Sequence, residues 1–372
     1  MPIATPKAVI NSAKALQNYG KEYECSIINF FGEFNSFQDD LKNKNVELIN
    51  FFNKRIIKLL PKHGKFKSRF SFIVIFLLSF FPLKKLISKQ KPDYLIIHLI
   101  TSLPLFLLIF FKFETKFILR ISGFPKINIF RKFLWKKALS KIHIVTCPTK
   151  LTADYIESLG IVEKKKIKIL YDPIIEIRKI NYQKKQKTDF SLKKQKYFFS
   201  AGRLTKQKNF LFLCKAFKKI LKKYPDINLL IAGEGEEKNK IMKYINENKL
   251  YDKIILIGFT KNIFKYLQNC EGFILSSLWE DPGFVLVEAA FSRAPVFSSN
   301  CINGPKELIV DNFNGILFKS NDIDDFVNKF EKFIDIKKKS NELTLNGLKM
   351  SRKFTLFNHY KKFNYLLSYE EN

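Results

Sequence analysis

Short apolar runs alternate with stretches of helical periodicity along most of the chain. Residues 8–19 carry apolar positions at helical spacing, and 24–29 form the short run of a strand. A buried strand over 94–98 passes into a helix starting near Ser102, with Pro104 in its first turn. Strands follow over 117–121, 143–147 and 167–171, with a helix over 150–159. Such alternation predicts a parallel sheet covered on both faces. Residues 176–196 are rich in Lys and Gln and have no apolar period, which reads as a linker. The alternation then resumes, with strands over 197–202, 228–232, 254–257, 272–275 and 294–299 and helices from Phe210 and near Gly283. The predicted organisation is an N-terminal α/β lobe over 1–175, the linker, a second α/β lobe over 197–350 and a tail over 351–372, helical across 354–367. A length of 372 residues suits two domains better than one core.

Two apolar stretches raise the question of a membrane. Residues 70–83 are almost wholly apolar but end at Pro82, and 93–111 contain His98, Thr101, Ser102 and Pro104 in their middle. A span needs about twenty apolar residues, so both fall short. Buried core of an α/β lobe is the plainer reading. The rival is a face lying on a membrane, since Lys65, Lys67, Arg69, Lys84, Lys85 and Lys89 flank the first stretch. Both hold if a helix buries one side and offers the other.

Charge narrows the partners. There are 66 Lys and Arg against 34 Asp and Glu, a net +32, which points to a polyanionic partner such as an anionic membrane or a phosphorylated substrate. Only eight of the 66 are arginines, the residue that base and phosphate readers favour, so no nucleic-acid partner is expected. The 46% hydrophobic and 27% charged composition excludes a disordered chain. Five scattered cysteines and four scattered histidines form no metal-binding spacing or disulfide framework, which favours a reducing compartment. Residues 1–7 lack the apolar core of a signal peptide.

The chemistry concentrates in the second lobe. The strand ending at Gly202 runs into Arg203, and Lys208 follows five residues later, just before a helix. Two cations so placed after a glycine turn can meet one anion. The strand over 228–232 ends in Gly233-Glu234-Gly235, a turn that permits close approach of a ligand. Most informative is Ser277-Leu278-Trp279-Glu280-Asp281-Pro282-Gly283-Phe284-Val285-Leu286-Val287-Glu288. A helix starting at Gly283 offers free backbone N–H groups to a phosphate, and Glu288 lies about one turn inside it. A carboxylate there can grip ribose hydroxyls.

With the trailing Pro295, Gly304, Glu307 and Asn314-Gly315, this order of residues resembles the family-4 (group 1) retaining nucleotide-sugar glycosyltransferases, of the surface-polysaccharide and lipopolysaccharide assembly type. The likeness is close over 197–318 and in outline only before that. It implies the GT-B fold, two Rossmann-like parallel-sheet lobes facing across a cleft, the first lacking its opening strand, with the C-terminal helix of 351–372 packing back on the first lobe. It also implies that Arg203, Lys208 and the backbone of Gly283, Phe284 and Val285 hold the donor diphosphate, that Glu288 holds the ribose and that Glu280 faces the transferred sugar as the catalytic carboxylate. Gly202, Gly233, Gly235, Ser277 and Glu307 are weaker candidates on donor-side loops, and Arg120 on the acceptor side. The resemblance implies a nucleotide-sugar donor, a UDP-sugar by family frequency, and neither cofactor nor metal is expected. The expected acceptor is a glycan, probed first as lipid-linked, and the enzyme is expected in the cytoplasm, peripheral on the inner face of the plasma membrane. The family's opening strand and glycine loop are not found here, since only Thr5-Pro6-Lys7 precede the first helix, and an internal start is the expectation.

Plainer readings stand beside these. Arg203 and Lys208 alone are surface cations, and Glu280 alone is a first-turn acid. The Asp322-Ile323-Asp324 triplet invites a metal reading, but acids at 321–325 fit the opening of a helix better. Trp279 is expected to pack beside the site. The alternatives for the whole chain are a non-catalytic polyanion or membrane binder derived from a glycosyltransferase, and a GT-B nucleotide-sugar epimerase.

Overall fold

The computed structural model describes residues 4–30, 32–52, 65–98, 101–186, 196–339 and 341–368. The chain divides into two compact units: Met1–Pro173 with Leu356–Asn372, and Ile174–Thr355.

The first unit runs α1 (Ala4–Tyr19), β1 (Ser26–Asn29), α2 (Gln38–Lys42), β2 (Glu47–Asn50), α3 (Lys65–Gln90), β3 (Tyr94–Ile97), α4 (Ser102–Phe110), β4 (Lys116–Arg120), α5 (Ile129–Leu139), β5 (Ile144–Cys147), α6 (Lys150–Ser158) and β6 (Ile167–Ile169). Strands β3 to β6 form a parallel sheet in that order, and β1 pairs in parallel with β2 alone. Helices α3 to α6 supply one apolar layer, with Ile75, Leu107, Trp135 and Ile156 buried against β3 to β5. On the opposite face Leu16 of α1 meets Ile118, Ile144 and the C-terminal helix Leu356–Leu367 through Phe363 and Leu366. The C-terminal helix is tied to α1 by Ser12 Oγ to His359 Nε2 at 2.8 Å and to the rest of the unit by Tyr23 Oη donating to Asn364 Oδ1 at 2.5 Å.

Several local expectations are corrected. Helix α1 starts at Ala4, so Thr5, Pro6 and Lys7 lie in its first turn, where proline's missing N–H costs nothing. No strand precedes α1 among the described residues. The 70–83 run does not stop at Pro82: α3 continues to Gln90 because Leu83 and Ile87 extend the buried stripe set by Ile75. Between β1 and β3 lies a cavity of about 700 Å³, lined by Cys25 to Ile28 and by Tyr94 to Ile97, and among the described residues no ladder joins the two sheets of this unit. No helix among the described residues is long and apolar enough to cross a membrane.

The second unit runs α7 (Ile177–Lys184), β7 (Lys196–Ala201), α8 (Phe210–Leu221), β8 (Ile227–Ala232), α9 (Lys238–Glu247), β9 (Ile254–Gly258), α10 (Phe264–Leu267), β10 (Gly272–Leu275), α11 (Phe284–Phe291), β11 (Val296–Ser299), α12 (Pro305–Leu308), β12 (Ile316–Phe318), α13 (Ile323–Lys339) and α14 (Glu342–Ser351). Its six strands are parallel in the order β12-β11-β10-β7-β8-β9. The chain's phenylalanines fill its core: Phe198, Phe297, Phe318, Phe326, Phe330 and Phe333 are buried together, with Phe297 and Phe318 centroids 4.8 Å apart.

The first half of the expected linker is helical instead. Ile180 of α7 is buried, and Asn262 Nδ2 donates to Gln183 O at 2.8 Å and Gln186 Oε1 at 2.9 Å, so the second unit holds α7 by specific bonds. Residues 187–195 of that expectation lie outside the described residues.

Candidate active site

In a parallel sheet the loops that bind ligands leave the carboxyl ends of the strands, above all where the strand order reverses. In the second unit that reversal falls between β7 and β10: the chain lays β8 and β9 on one side of β7, then returns to lay β10 and β11 on the other. The two loops carrying the sequence motifs leave these two strands.

The loop after β7 is held in close quarters. Gly202 N donates to Ala232 O at 3.0 Å and Leu204 N to Glu234 O at 3.0 Å, while Glu237 N returns to Leu204 O at 2.9 Å. Gly233 has φ +153°, and a Cβ there would stand 1.8 Å from Gly202 O. A Cβ on Gly235 would stand 2.3 Å from Leu204 O. The Gly-x-Gly turn therefore lets the loops after β7 and β8 stack backbone on backbone. The Lys208 side chain lies across Gly202, within 3.3 Å of where a Cβ would be. Arg203 is exposed on the same loop.

The loop after β10 meets it. Lys208 Nζ lies 2.5 Å from Glu280 Oε1, and the Ser277 hydroxyl donates to the same oxygen at 2.5 Å. Both ionised groups are largely removed from water, with side-chain exposures of 14% and 4%. The backbones are joined as well: Ser276 Oγ donates to Lys208 O at 2.8 Å, and Leu278 N to Gln207 O at 2.8 Å. From the far side, Ser299 Oγ donates to Ser277 O at 2.7 Å and Glu280 N to Ile302 O at 3.0 Å. Nearby Cys301 is buried, which together with the Glu280 carboxylate pushes its thiol up to about 11 and keeps it protonated.

Gly283 is the N-cap of α11 with φ +87°, a conformation that glycine adopts freely. The backbone N–H groups of Phe284 and Val285 open that helix, where the dipole favours an anion. Glu288, half-buried, stands one turn further on. Glu307 follows Gly304 on α12, also half-buried. Gly304 itself packs on Pro282, where a Cβ would stand 2.0 Å from the Pro282 carbonyl oxygen. The second unit thus brings Gly202, Arg203, Lys208, Ser277, Glu280 and Gly283 onto the loops of one sheet reversal, with Phe284, Val285 and Glu288 on the helix that follows.

Arg120, Trp279 and Asp322 complete the residues that the sequence marked. Arg120 Nε donates to Asp172 Oδ1 at 2.7 Å, Nη2 donates to Asp172 Oδ2 and Nη1 to Ser122 Oγ, all inside the first unit. Each of its nitrogens is engaged by protein, so this buried fork holds the end of β4 to the loop after β6. Trp279, next to Glu280, is 47% exposed, and its carbonyl accepts from Gln207 Nε2 at 2.9 Å. Asp322 Oδ1 accepts from Asp325 N at 3.0 Å, and that bond, with Lys319 beside it, holds its carboxyl below the usual range. The Asp322 side chain caps α13. What the sequence missed is the direct pairing of Lys208 with Glu280; the three-residue spacing of Ser277 and Glu280 was the only local trace of it.

Two parallel-sheet α/β units, with the sequence motifs gathered at the sheet reversal of the second, have the GT-B architecture of glycosyltransferases. A crystal structure of Anabaena Alr3699/HepE in complex with UDP and glucose superposes with a TM-score of 0.71 at 14% identity, covering 100% of this chain and 97% of that one. The family described as Glycosyl transferases group 1 matches residues 182–350. An uncharacterized glycosyltransferase of Methanocaldococcus jannaschii is 30% identical over 317 residues, 80% of this chain and 74% of the relative. The GalNAc-alpha-(1->4)-GalNAc-alpha-(1->3)-diNAcBac-PP-undecaprenol alpha-1,4-N-acetyl-D-galactosaminyltransferase of Campylobacter jejuni is 25% identical over 360 residues, 94% of this chain and 90% of its own. The chain belongs to the group 1 glycosyl transferases, and it is a glycosyltransferase of the hexosyl or N-acetylhexosaminyl kind.

Proposed function

We propose that the second unit binds a nucleoside diphosphate sugar, with UDP as the first nucleotide to test, and that the enzyme transfers the sugar with retention to a glycan borne on a polyprenyl diphosphate. The observation that carries this reading is the meeting of Lys208, Ser277 and Glu280 beside the N-terminus of α11. An ammonium has three N–H donors, and Glu280 takes one, which leaves two for a phosphate oxygen. Arg203, Lys208 and the N–H groups of Phe284 and Val285 then face the diphosphate as negative charge builds on it during departure from the sugar. Fixed cations and a helix terminus supply that stabilisation without a divalent ion in this proposal. Glu288, one turn inside the helix, holds the ribose hydroxyls. Glu280, its Oε1 held by two donors, sets a carboxylate where positive charge develops at the anomeric carbon. Gly202, Gly233, Gly235 and Glu307 shape the donor-side loops.

The acceptor follows from the first unit's basic, aromatic character and from the Campylobacter relative, whose name gives an undecaprenol-linked glycan as its acceptor. Action at the inner, cytoplasmic face of the plasma membrane, as a peripheral enzyme, belongs to the same proposal.

Calorimetry of UDP, GDP, ADP and CMP in metal-free buffer tests it, alongside Arg203→Ala and Glu288→Ala. One nucleoside diphosphate binding selectively, and losing on the order of tenfold or more in affinity in each variant, is the expected result. Equal weak binding of all four, falling only with salt, would overturn the reading.

A further inference from the structure

Helix α3 buries one side and leaves the other bare. Ile75, Ser79, Leu83 and Ile87, each four residues from the next, are buried. Across the helix Ile73, Leu77 and Phe81, also spaced by four, are 56%, 65% and 69% exposed, with Leu78 beside them at 52%. Phe110, closing the neighbouring α4, is 64% exposed. Helix α4 is locked to α3 by Phe76 against Phe106 at 5.5 Å and Phe80 against Phe111 at 6.1 Å, so Phe110 extends the same surface. The stripe on α3 alone runs about 12 Å at 1.5 Å per residue. A row of large apolar side chains of this length is an interaction surface and not ordinary scatter.

Charge says what covers it. Helix α3 spans 26 residues with no Asp or Glu, and six of them are Lys or Arg. Lys85 and Lys89 are exposed just beyond Phe81, and Lys84 Nζ sits 4.0 Å from the centroid of the Phe111 ring. A second copy docking symmetrically would set these cations against their own copies with no acid on the helix to pair them. A bilayer with anionic headgroups accepts both features. Apolar side chains enter the acyl boundary, and the lysines stay among the phosphates.

We infer that the outer face of α3, with Phe110, docks the first unit flat on an anionic phospholipid surface. The inference rests on the reading that the acceptor is lipid-borne, and adds which face meets the bilayer.

The test sediments the full chain with vesicles of phosphatidylglycerol and phosphatidylcholine in equal parts, and with phosphatidylcholine alone. Leu77→Ser/Phe81→Ser and Lys85→Gln/Lys89→Gln change only exposed side chains, and thermal melts with nucleotide calorimetry on the same preparations check the fold. The parent is expected to bind the anionic vesicles selectively. The serine pair should weaken that binding on the order of tenfold at low and high salt alike, and the glutamine pair chiefly at low salt. Three results overturn the inference: a parent that does not bind, a serine pair that binds as the parent does, or a parent dimer that the serine pair dissociates. Nucleotide binding that survives such a failure leaves the transferase reading standing. Vesicle docking without nucleotide binding does the reverse.

Discussion

Lys208 Nζ and Glu280 Oε1 stand 2.5 Å apart, a buried ion pair that joins the loop after β7 to the loop after β10. Removing either partner strands the other charge away from water. Glu280→Gln and Lys208→Met should each lower stability by about 3 kcal/mol and turnover by on the order of 100-fold. The double variant Lys208→Met/Glu280→Gln should lose less stability than the two single losses added. Denaturant unfolding across the four proteins measures this, and strict additivity would show that the pair does not interact.

Ser277 shares Glu280 Oε1 with Lys208 and acts through that carboxylate. Ser277→Ala should cost about 1 kcal/mol of stability, lower kcat several-fold and leave the KM for the donor unchanged. A rise in KM at constant kcat would assign Ser277 to binding rather than to positioning. Ser277→Thr should restore part of the rate by returning the hydroxyl.

Two glycines give a contrast in backbone tolerance. At Gly233 an added Cβ would stand 1.8 Å from Gly202 O, whereas at Gly160, φ +61°, it would meet nothing within 4 Å. Gly160→Ala should cost about 1 kcal/mol from conformation alone. Gly233→Ala should cost more than about 2 kcal/mol and weaken nucleotide binding too, because the displaced loop carries Arg203 and Lys208. Melting curves and calorimetry on both variants decide it.

The first unit should be acid-sensitive through His359. Burial lowers this imidazole to about 4, although Tyr171 O accepts from its Nδ1 at 2.8 Å and Asp172 favours the charged form. An unfolded histidine titrates near 6.5, so the unfolded chain binds the extra proton first. Its contribution to stability is present above pH 6.5 and is lost as pH falls from about 6.5 to about 4, amounting to roughly 3 kcal/mol. His359→Gln should flatten the stability profile across that window in denaturant titrations. An unchanged slope would rule out His359 as the source.

Much of this could be read from residue order. Gly202, Arg203 and Lys208 lie on one loop, and Glu280, Gly283 and Glu288 on one strand–helix junction, so short spacing was enough to mark them as chemistry. Strand and helix alternation told the fold class because the period of buried positions is a local property. Local signals failed where a neighbour from elsewhere changed the outcome. Pro82 looked like an end, but the buried face of α3 continues past it. Residues 177–184 looked like linker, but Ile180 found a core and Asn262 a pair of acceptors. Nothing near Arg120 in the chain foretold Asp172 and Ser122, which accept one bond from each of its three nitrogens.

What the sequence determined by itself is which segments are strands and helices and which short motifs carry charge and glycine. The tertiary structure alone decided that Lys208 and Glu280, 72 residues apart, share a bond, and that His359 closes on Ser12 across 347 residues. The physical reason is strand order: β10 pairs with β7 and not with β9, the strand before it in the chain, and no spacing along the chain encodes that choice.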